Sequence, residues 1–209
     1  MTDARIYLAS KSPRRRELLT QAGIHFDMLI FREPPRVDPE LDEAWLPGET
    51  PPHYVQRVAA AKAAHGANIL AWRKLPQRPV LAADTTLDLD GEVIGKPNDA
   101  ADASAILTRL SGRSHQVLTA VTVAASSSGT EVQRVETVLS TSEVRFRAFS
   151  AEEIRRYVLS GEPMDKAGAY GIQGRAAMFI EHIRGSHSGI VGLPLCETVV
   201  LLRKFGYSL

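Results

Sequence analysis

Apolar and polar positions alternate along the chain in blocks of two kinds, short continuous runs and amphipathic stretches. Arg5 to Ser10 reads as a short strand, and Ser12-Pro13 then opens a helix, with Ser12 as N-cap, Pro13 at the first helical position and Gly23 closing it. Residues 31–53 carry Pro34, Pro35, Pro39, Pro47, Pro51 and Pro52 among acidic side chains, which predicts a surface loop long enough to serve function. A helix follows from about Pro52 to His65. Pro79-Val80-Leu81-Ala82-Ala83 predicts a buried strand ending at Asp84, and Leu87 to Ile94 alternates about Asp90-Gly91 as a tight hairpin does. From Asp99 to Leu110 the spacing of Ala103, Ile106, Leu107 and Leu110 predicts a helix buried on that face and ended by Gly112.

His115 to Ala125 and Val132 to Phe149 read as further strands, separated by the turn Ser126-Ser127-Ser128-Gly129. Ser150-Ala151-Glu152-Glu153 is a capping box for a helix that ends at Gly161. Gly168 to Gly174 is a glycine-punctuated loop, Met178 to Ile183 a strand, and Pro194 opens a last helix through Leu195, Val199 and Leu202. Hairpins and crossovers coexist, so the fold class is α/β with a mixed sheet and flanking helices.

With 209 residues and 44% hydrophobic content, the chain can bury a core without disulfides or structural metal and fits a single domain, residues 1–209. Twenty-five Lys and Arg against 24 Asp and Glu leave a formal charge of +1, so any polyanion must be held by a local cluster, and a nucleic-acid partner is not expected. The single cysteine, Cys196, excludes a disulfide framework and reads as a small apolar core residue. No apolar run has signal-peptide or membrane-span length, which predicts a cytoplasmic protein without a membrane partner. The six histidines form no metal-binding pair and read as surface or packing residues; P-loop and dinucleotide glycine motifs are absent.

Candidate chemistry is local. Arg14, Arg15 and Arg16 stand in the first turn of the first helix, where the macrodipole disfavours cations by roughly 0.3–1 kcal/mol each. An anion bound at that helix end would reverse the sign; otherwise the arginines simply point into water, Arg16 first among them. Asp84, followed by Thr85 and Thr86, ends an apolar strand, a position from which a carboxylate can orient water, hold a metal or merely bond a turn. Gly95-Lys96-Pro97 fixes the backbone about a lysine that suits phosphate, or one that is only exposed. Lys62 shares a helix face with Val55, Val58 and Ala59, and so needs a partner or a route to solvent. Asp42 and Glu43 in the proline-rich loop could supply oxygen ligands to Mg2+ or Mn2+.

LASKSPRRRELL, DEAWLPGE, YVQRVAAAKA, LAADTTLDLDGEVIGKP, LSGRSHQVLTAV and DKAGAYGIQG, in that order, resemble the Maf family of nucleoside triphosphate pyrophosphatases over nearly the whole chain. The resemblance implies a two-lobed mixed-sheet fold related to the inosine triphosphatase group, with the site in the cleft. It implies hydrolysis between the α and β phosphates with Mg2+ or Mn2+. By motif, Arg14 and Arg15 would grip the triphosphate, Glu43 would help hold metal, and Lys62 and Lys96 would neutralise phosphate charge. Asp84 would be the proton acceptor, with a metal-ligand role also open. Thr85 and Gln173, with Arg14, match positions that separate subfamilies, and YGIQG resembles the dTTP/UTP branch rather than the 7-methyl-GTP branch. The partner implied is a nucleoside triphosphate, and a homodimer is admitted. Alternatives are a pyrophosphatase for purine or modified nucleotides, or a nucleotide-binding regulator of cell division.

Overall fold

Among the described residues seven strands, β1 (Arg5–Leu8), β2 (His25–Met28), β3 (Val80–Leu89), β4 (Glu92–Ile94), β5 (Ser114–Ala125), β6 (Arg134–Phe146) and β7 (Ile180–Arg184), form one sheet. Its order is β2-β1-β3-β5-β6-β7, with β4 attached to β3. The computed structural model describes residues 5–31, 43–126 and 134–207. Much of the proline-rich loop, with Asp42, and most of the serine-rich turn therefore lie outside the described residues. Strand β1 runs parallel to β2 and β3, whereas β3, β5, β6 and β7 are joined antiparallel, which makes the sheet mixed as the pattern predicts. The flanking helices are α1 (Pro13–Gln21), α2 (Pro51–Trp72), α3 (Ala100–Leu110), α4 (Ala151–Leu159), α5 (His187–Val191) and α6 (Leu195–Lys204).

Local signals explain most of these elements. The Ser12 side chain accepts from the Arg15 N–H at the start of α1, and Gly23 adopts φ +69° after its end. Ala103, Ile106, Leu107 and Leu110 are the buried face of α3, and the Ser150–Glu153 capping box of α4 is formed in both directions. Other expectations need correction. Helix α2 continues two turns past His65, because Ala67, Ile69 and Leu70 extend the buried face. The strand expected from Met178 begins at Ile180, since Arg175–Phe179 is a 3₁₀ turn. Cys196 is exposed, not in the core: Thr198, Leu201 and Leu202 carry the buried face of α6.

The most consequential difference lies in β3. It does not stop at Asp84 but runs on to Leu89, because β5 pairs with it without interruption from Val80 to Asp88. On its other edge, β1 pairs only at Val80 and Leu81, and β4 takes over at Leu87. Between them, residues 82–86 have no strand partner on that edge among the described residues. The window is visible in burial: Asp84 and Thr85 are half-buried in a strand otherwise almost wholly buried.

The same window divides the core. Leu87 and Leu89 pack with α3, α4 and the aromatic residues Phe146, Tyr170 and Phe179. Leu81 and Ala83 pack instead with Ile6, Leu8, Leu18 and Leu19, and Val80 and Ala82 with α2. Strand β3 thus crosses from one lobe to the other, and the half-buried Asp84 and Thr85 sit at the crossing. Helix α2 lies close against it: a Cβ at Gly66 would come within 2.8 Å of Val80 Cγ1, so glycine there lets the helix approach the strand. No helix among the described residues is long and apolar enough to cross a membrane.

His115, on β5, is buried in the first of these cores, where its Nε2 shares a 2.8 Å hydrogen bond with the Tyr170 hydroxyl. Burial pushes its pKa down from 6.5 to about 4. The unfolded chain takes up this proton near 6.5 while the folded chain does not, so the contribution is complete above that pH and lost as pH falls toward 4. The loss reaches about 3 kcal/mol. Urea unfolding at pH 7.5 and pH 5 should show a smaller acid penalty in His115→Gln than in the wild type; equal penalties would contradict this account.

Candidate active site

Asp84 emerges in the window of β3, and the close packing of α2 brings Lys62 over it. Lys62 Nζ lies 2.8 Å from Asp84 Oδ1 and 2.9 Å from Glu43 Oε1, so one ammonium bridges two carboxylates. Lys62 and Asp84 are largely buried, at 16% and 14% side-chain exposure, whereas Glu43 is 58% exposed. The lysine that the helix pattern left between snorkelling and function therefore has partners. Lys62 occupies only Oδ1 of Asp84, and Oδ2 has no partner among the described residues.

Glu43 reaches this point because the turn behind it is anchored. Arg57 on α2 donates to both oxygens of Glu49, at 2.7 and 2.9 Å, and to the Ala44 carbonyl at 2.8 Å. This fork is the reason the Glu49 carboxyl lies below the usual range. Tyr54 donates to the Glu43 carbonyl at 3.1 Å. Burial, with the charges of Asp84 and Glu43, pushes the Tyr54 hydroxyl up to about 12, so it stays a neutral donor beside the carboxylates.

The arginines of α1 have separate tasks. Arg15 donates to the Gly192 carbonyl at 2.8 Å, to Ser10 Oγ at 3.2 Å and to Thr85 Oγ1 at 3.2 Å, strapping α1 and β3 to the turn after α5. Burial pulls its pKa down, opposed by the charge of Asp84. Thr119 donates to the Gly189 carbonyl at 2.8 Å, so the 3.0 Å contact between Thr85 and Thr119 has Thr85 as donor. Thr85 thus accepts from Arg15 and passes its own proton on, which fixes its hydroxyl. Arg14 pairs with Asp165 across the cleft, Nη1 to Oδ2 at 2.9 Å and Nη2 to the carbonyl at 3.4 Å. Arg16 is exposed, as expected.

The opposite wall comes from the β4 exit and the glycine-rich segment. Lys96 is exposed and lines the cleft. Beside it the Gly95 carbonyl accepts from the Gly168 N–H at 2.9 Å, tying the two segments together. Gln173 stands exposed at the rim, in a turn closed by Gly174 N–H to Gly171 O at 3.0 Å and held by Arg175 N–H to Glu162 Oε2 at 3.0 Å. The resulting cleft, of about 1100 Å³, is lined by all eight residues singled out from the sequence, Arg14, Arg15, Glu43, Lys62, Asp84, Thr85, Lys96 and Gln173. Tyr54, Thr119, Asp165 and Lys166 have no role assigned from the sequence, although all four stand inside the quoted motifs.

Glu43 and Asp84, brought together on the Lys62 ammonium, are hard oxygen donors, the donor type Mg2+ and Mn2+ prefer. Among the described residues no group of three or more His, Cys, Asp or Glu could hold a metal ion. A divalent cation here would therefore need water and phosphate oxygens to fill its shell, a common arrangement for Mg2+. The two carboxylates fit such a site.

The family described as Maf-like protein matches residues 5–205. A dTTP/UTP pyrophosphatase of Dechloromonas aromatica is 60% identical over 203 residues, covering 97% of this chain and 98% of that protein. A protein of the same name from Aromatoleum aromaticum is 59% identical over 207 residues, covering 99% and 98%. A solved nucleoside-triphosphatase / dITP/XTP pyrophosphatase of Mycobacterium abscessus superposes with a TM-score of 0.39 at 17% identity, over 68% of this chain and 72% of that one, too loose a likeness to bear on the site.

Proposed function

The chain belongs to the Maf-like family, and from that premise we propose that it is a nucleoside triphosphate pyrophosphatase that hydrolyses dTTP and UTP to the monophosphate and pyrophosphate. The observation that carries this reading is the convergence of Asp84, Lys62 and Glu43 at the window of β3, beside a cleft with cations on both walls. The names of its relatives supply the substrate pair.

Asp84 orients the attacking water and takes its proton, while Lys62 holds the carboxylate by Oδ1 and so fixes where the other oxygen stands. Lys96 and Arg14 meet the phosphate charge from opposite walls, and the Arg15–Thr85–Thr119 chain keeps β3 and α1 at constant separation. Glu43 and Asp84 would hold Mg2+ or Mn2+, which when bound neutralises charge on the phosphates and polarises the anhydride. Gln173 offers both donor and acceptor to the polar edge of a pyrimidine. Replacement by Glu should lower the ratio of kcat/KM for dTTP to that for a purine triphosphate by about tenfold; an unchanged ranking would remove Gln173 from base selection.

A panel of nucleoside triphosphates assayed for pyrophosphate release, with and without Mn2+, tests the assignment. We expect dTTP and UTP to lead and the metal to be required. Cytoplasmic residence and a homodimeric assembly belong to the same proposal, the latter readable by light scattering.

A further inference from the structure

Lys166 is a cation of the cleft that the mechanism above leaves unused. Its side chain is only 17% exposed, yet it lines the cleft, and its Nζ bonds Asp165 Oδ1 and, at 2.6 Å, the Glu162 carbonyl. Its stem lies across Gly171: a Cβ there would stand 2.7 Å from Lys166 Cε and 2.8 Å from Cδ, so the chain's glycine makes room for this lysine. The other oxygen of the same carboxylate, Asp165 Oδ2, is held by Arg14 Nη1 at 2.9 Å. One carboxylate is thus gripped by a cation from each side of the cleft, at the N-terminal end of α1, the place where an anion is most favoured.

Resting on the triphosphate reading above, we propose that Lys166 is a phosphate-binding residue and that the Asp165 carboxylate stands in for a phosphoryl group between Lys166 and Arg14. Two oxygens taken by two cations is the pattern a phosphoryl group would offer, with more charge. Exposure supports the exchange. Arg14 at 26% and Lys166 at 17% are set into the wall, while Asp165 at 59% has water to turn into. Water screens a carboxylate so exposed, and the ion pairs hold it weakly. Arg14 has Nη1 on the Asp165 carboxylate and Nη2, at 3.4 Å, on the Asp165 backbone carbonyl, so release of the carboxylate frees Nη1 for substrate. Because the Lys166 stem rests on Gly171, two positions before Gln173, the exchange also links the phosphate grip to the segment that carries the base-reading side chain.

The test is steady-state kinetics with UTP, and competitive inhibition by inorganic pyrophosphate, in wild type, Lys166→Gln, Lys166→Arg and Asp165→Asn. Lys166→Gln should raise both KM and the pyrophosphate inhibition constant by about tenfold, the worth of one charge-assisted hydrogen bond, with kcat changed less. Lys166→Arg should recover most of that loss. Asp165→Asn, which keeps the shape and removes the competing charge, should give a KM at or below that of wild type. A pyrophosphate constant within twofold of wild type in Lys166→Gln, or a KM more than twofold higher in Asp165→Asn, would overturn the proposal. Absence of UTP and dTTP turnover in the wild type would instead defeat the functional reading on which it rests.

Discussion

Asp84→Asn should lower kcat for dTTP and UTP by about 10²–10⁴, the range that loss of a general base commands, while nucleotide binding stays within a few-fold of wild type. The amide keeps an oxygen for Lys62, which lies 2.8 Å from Asp84 Oδ1, so the pocket should hold its shape. What the amide lacks is the basicity to take a proton from water. Equilibrium binding of nucleotide alongside the rate measurement separates this from a binding defect. Turnover near that of wild type would remove Asp84 from the chemistry. Mn2+ titration of the same variant divides its two roles: unchanged metal affinity leaves the base, and a loss of tenfold or more adds metal ligation.

Gly168→Ala should be the most damaging single methyl group in the cleft wall. Gly168 adopts φ +70°, and a Cβ there would come within 2.2 Å of Leu87 Cδ2 and 3.1 Å of its Cδ1. Leu87 cannot easily yield, since it is 2% exposed and packed in the core that joins β3 to α3 and α4. Left-handed backbone and overpacking together should cost about 2–4 kcal/mol, a fall in Tm of about 5–15 °C. Activity should fall with it, because the Gly168 N–H to Gly95 O bond is what sets Lys96 beside the segment carrying Gln173. A change below about 0.5 kcal/mol by urea unfolding would show that the segment can shift and that its placement is not fixed by this contact.

Both effects depend on features that were unequally legible in the sequence. The cap at Ser12, the face of α3 and the capping box at Ser150 are local, and their residues state them directly. The end of β3 is different. The apolar run from Pro79 to Ala83 places Asp84 at a strand terminus, but β5 pairs straight past it. The carboxylate owes its exposure to where β1 stops and β4 starts, which is a property of neighbours distant in the chain. Strand β2 and helix α5, of 4 and 5 residues, are too short for a periodic signal and form because the sheet edge and the Ser186 cap receive them.

The site shows the same division. Lys62 could be singled out because a charge on an apolar helix face is conspicuous, and Lys96 because glycine and proline fix its backbone. Tyr54, Thr119, Asp165 and Lys166 carry no such mark; each matters through a partner far away in sequence, as Asp165 does through Arg14 at a separation of 151 residues. Cys196 failed for a related reason, since its helix could be rotated to bury either side and Leu201 and Leu202 decide which.

If the water held by Asp84 attacks the α-phosphorus and expels pyrophosphate, one product analysis shows it. Hydrolysis of dTTP in water enriched in oxygen-18, with products resolved by mass spectrometry, should place one labelled oxygen in thymidine monophosphate and none in pyrophosphate. Label in pyrophosphate, or a diphosphate with labelled orthophosphate, would mean that the bond broken or the atom attacked is another one.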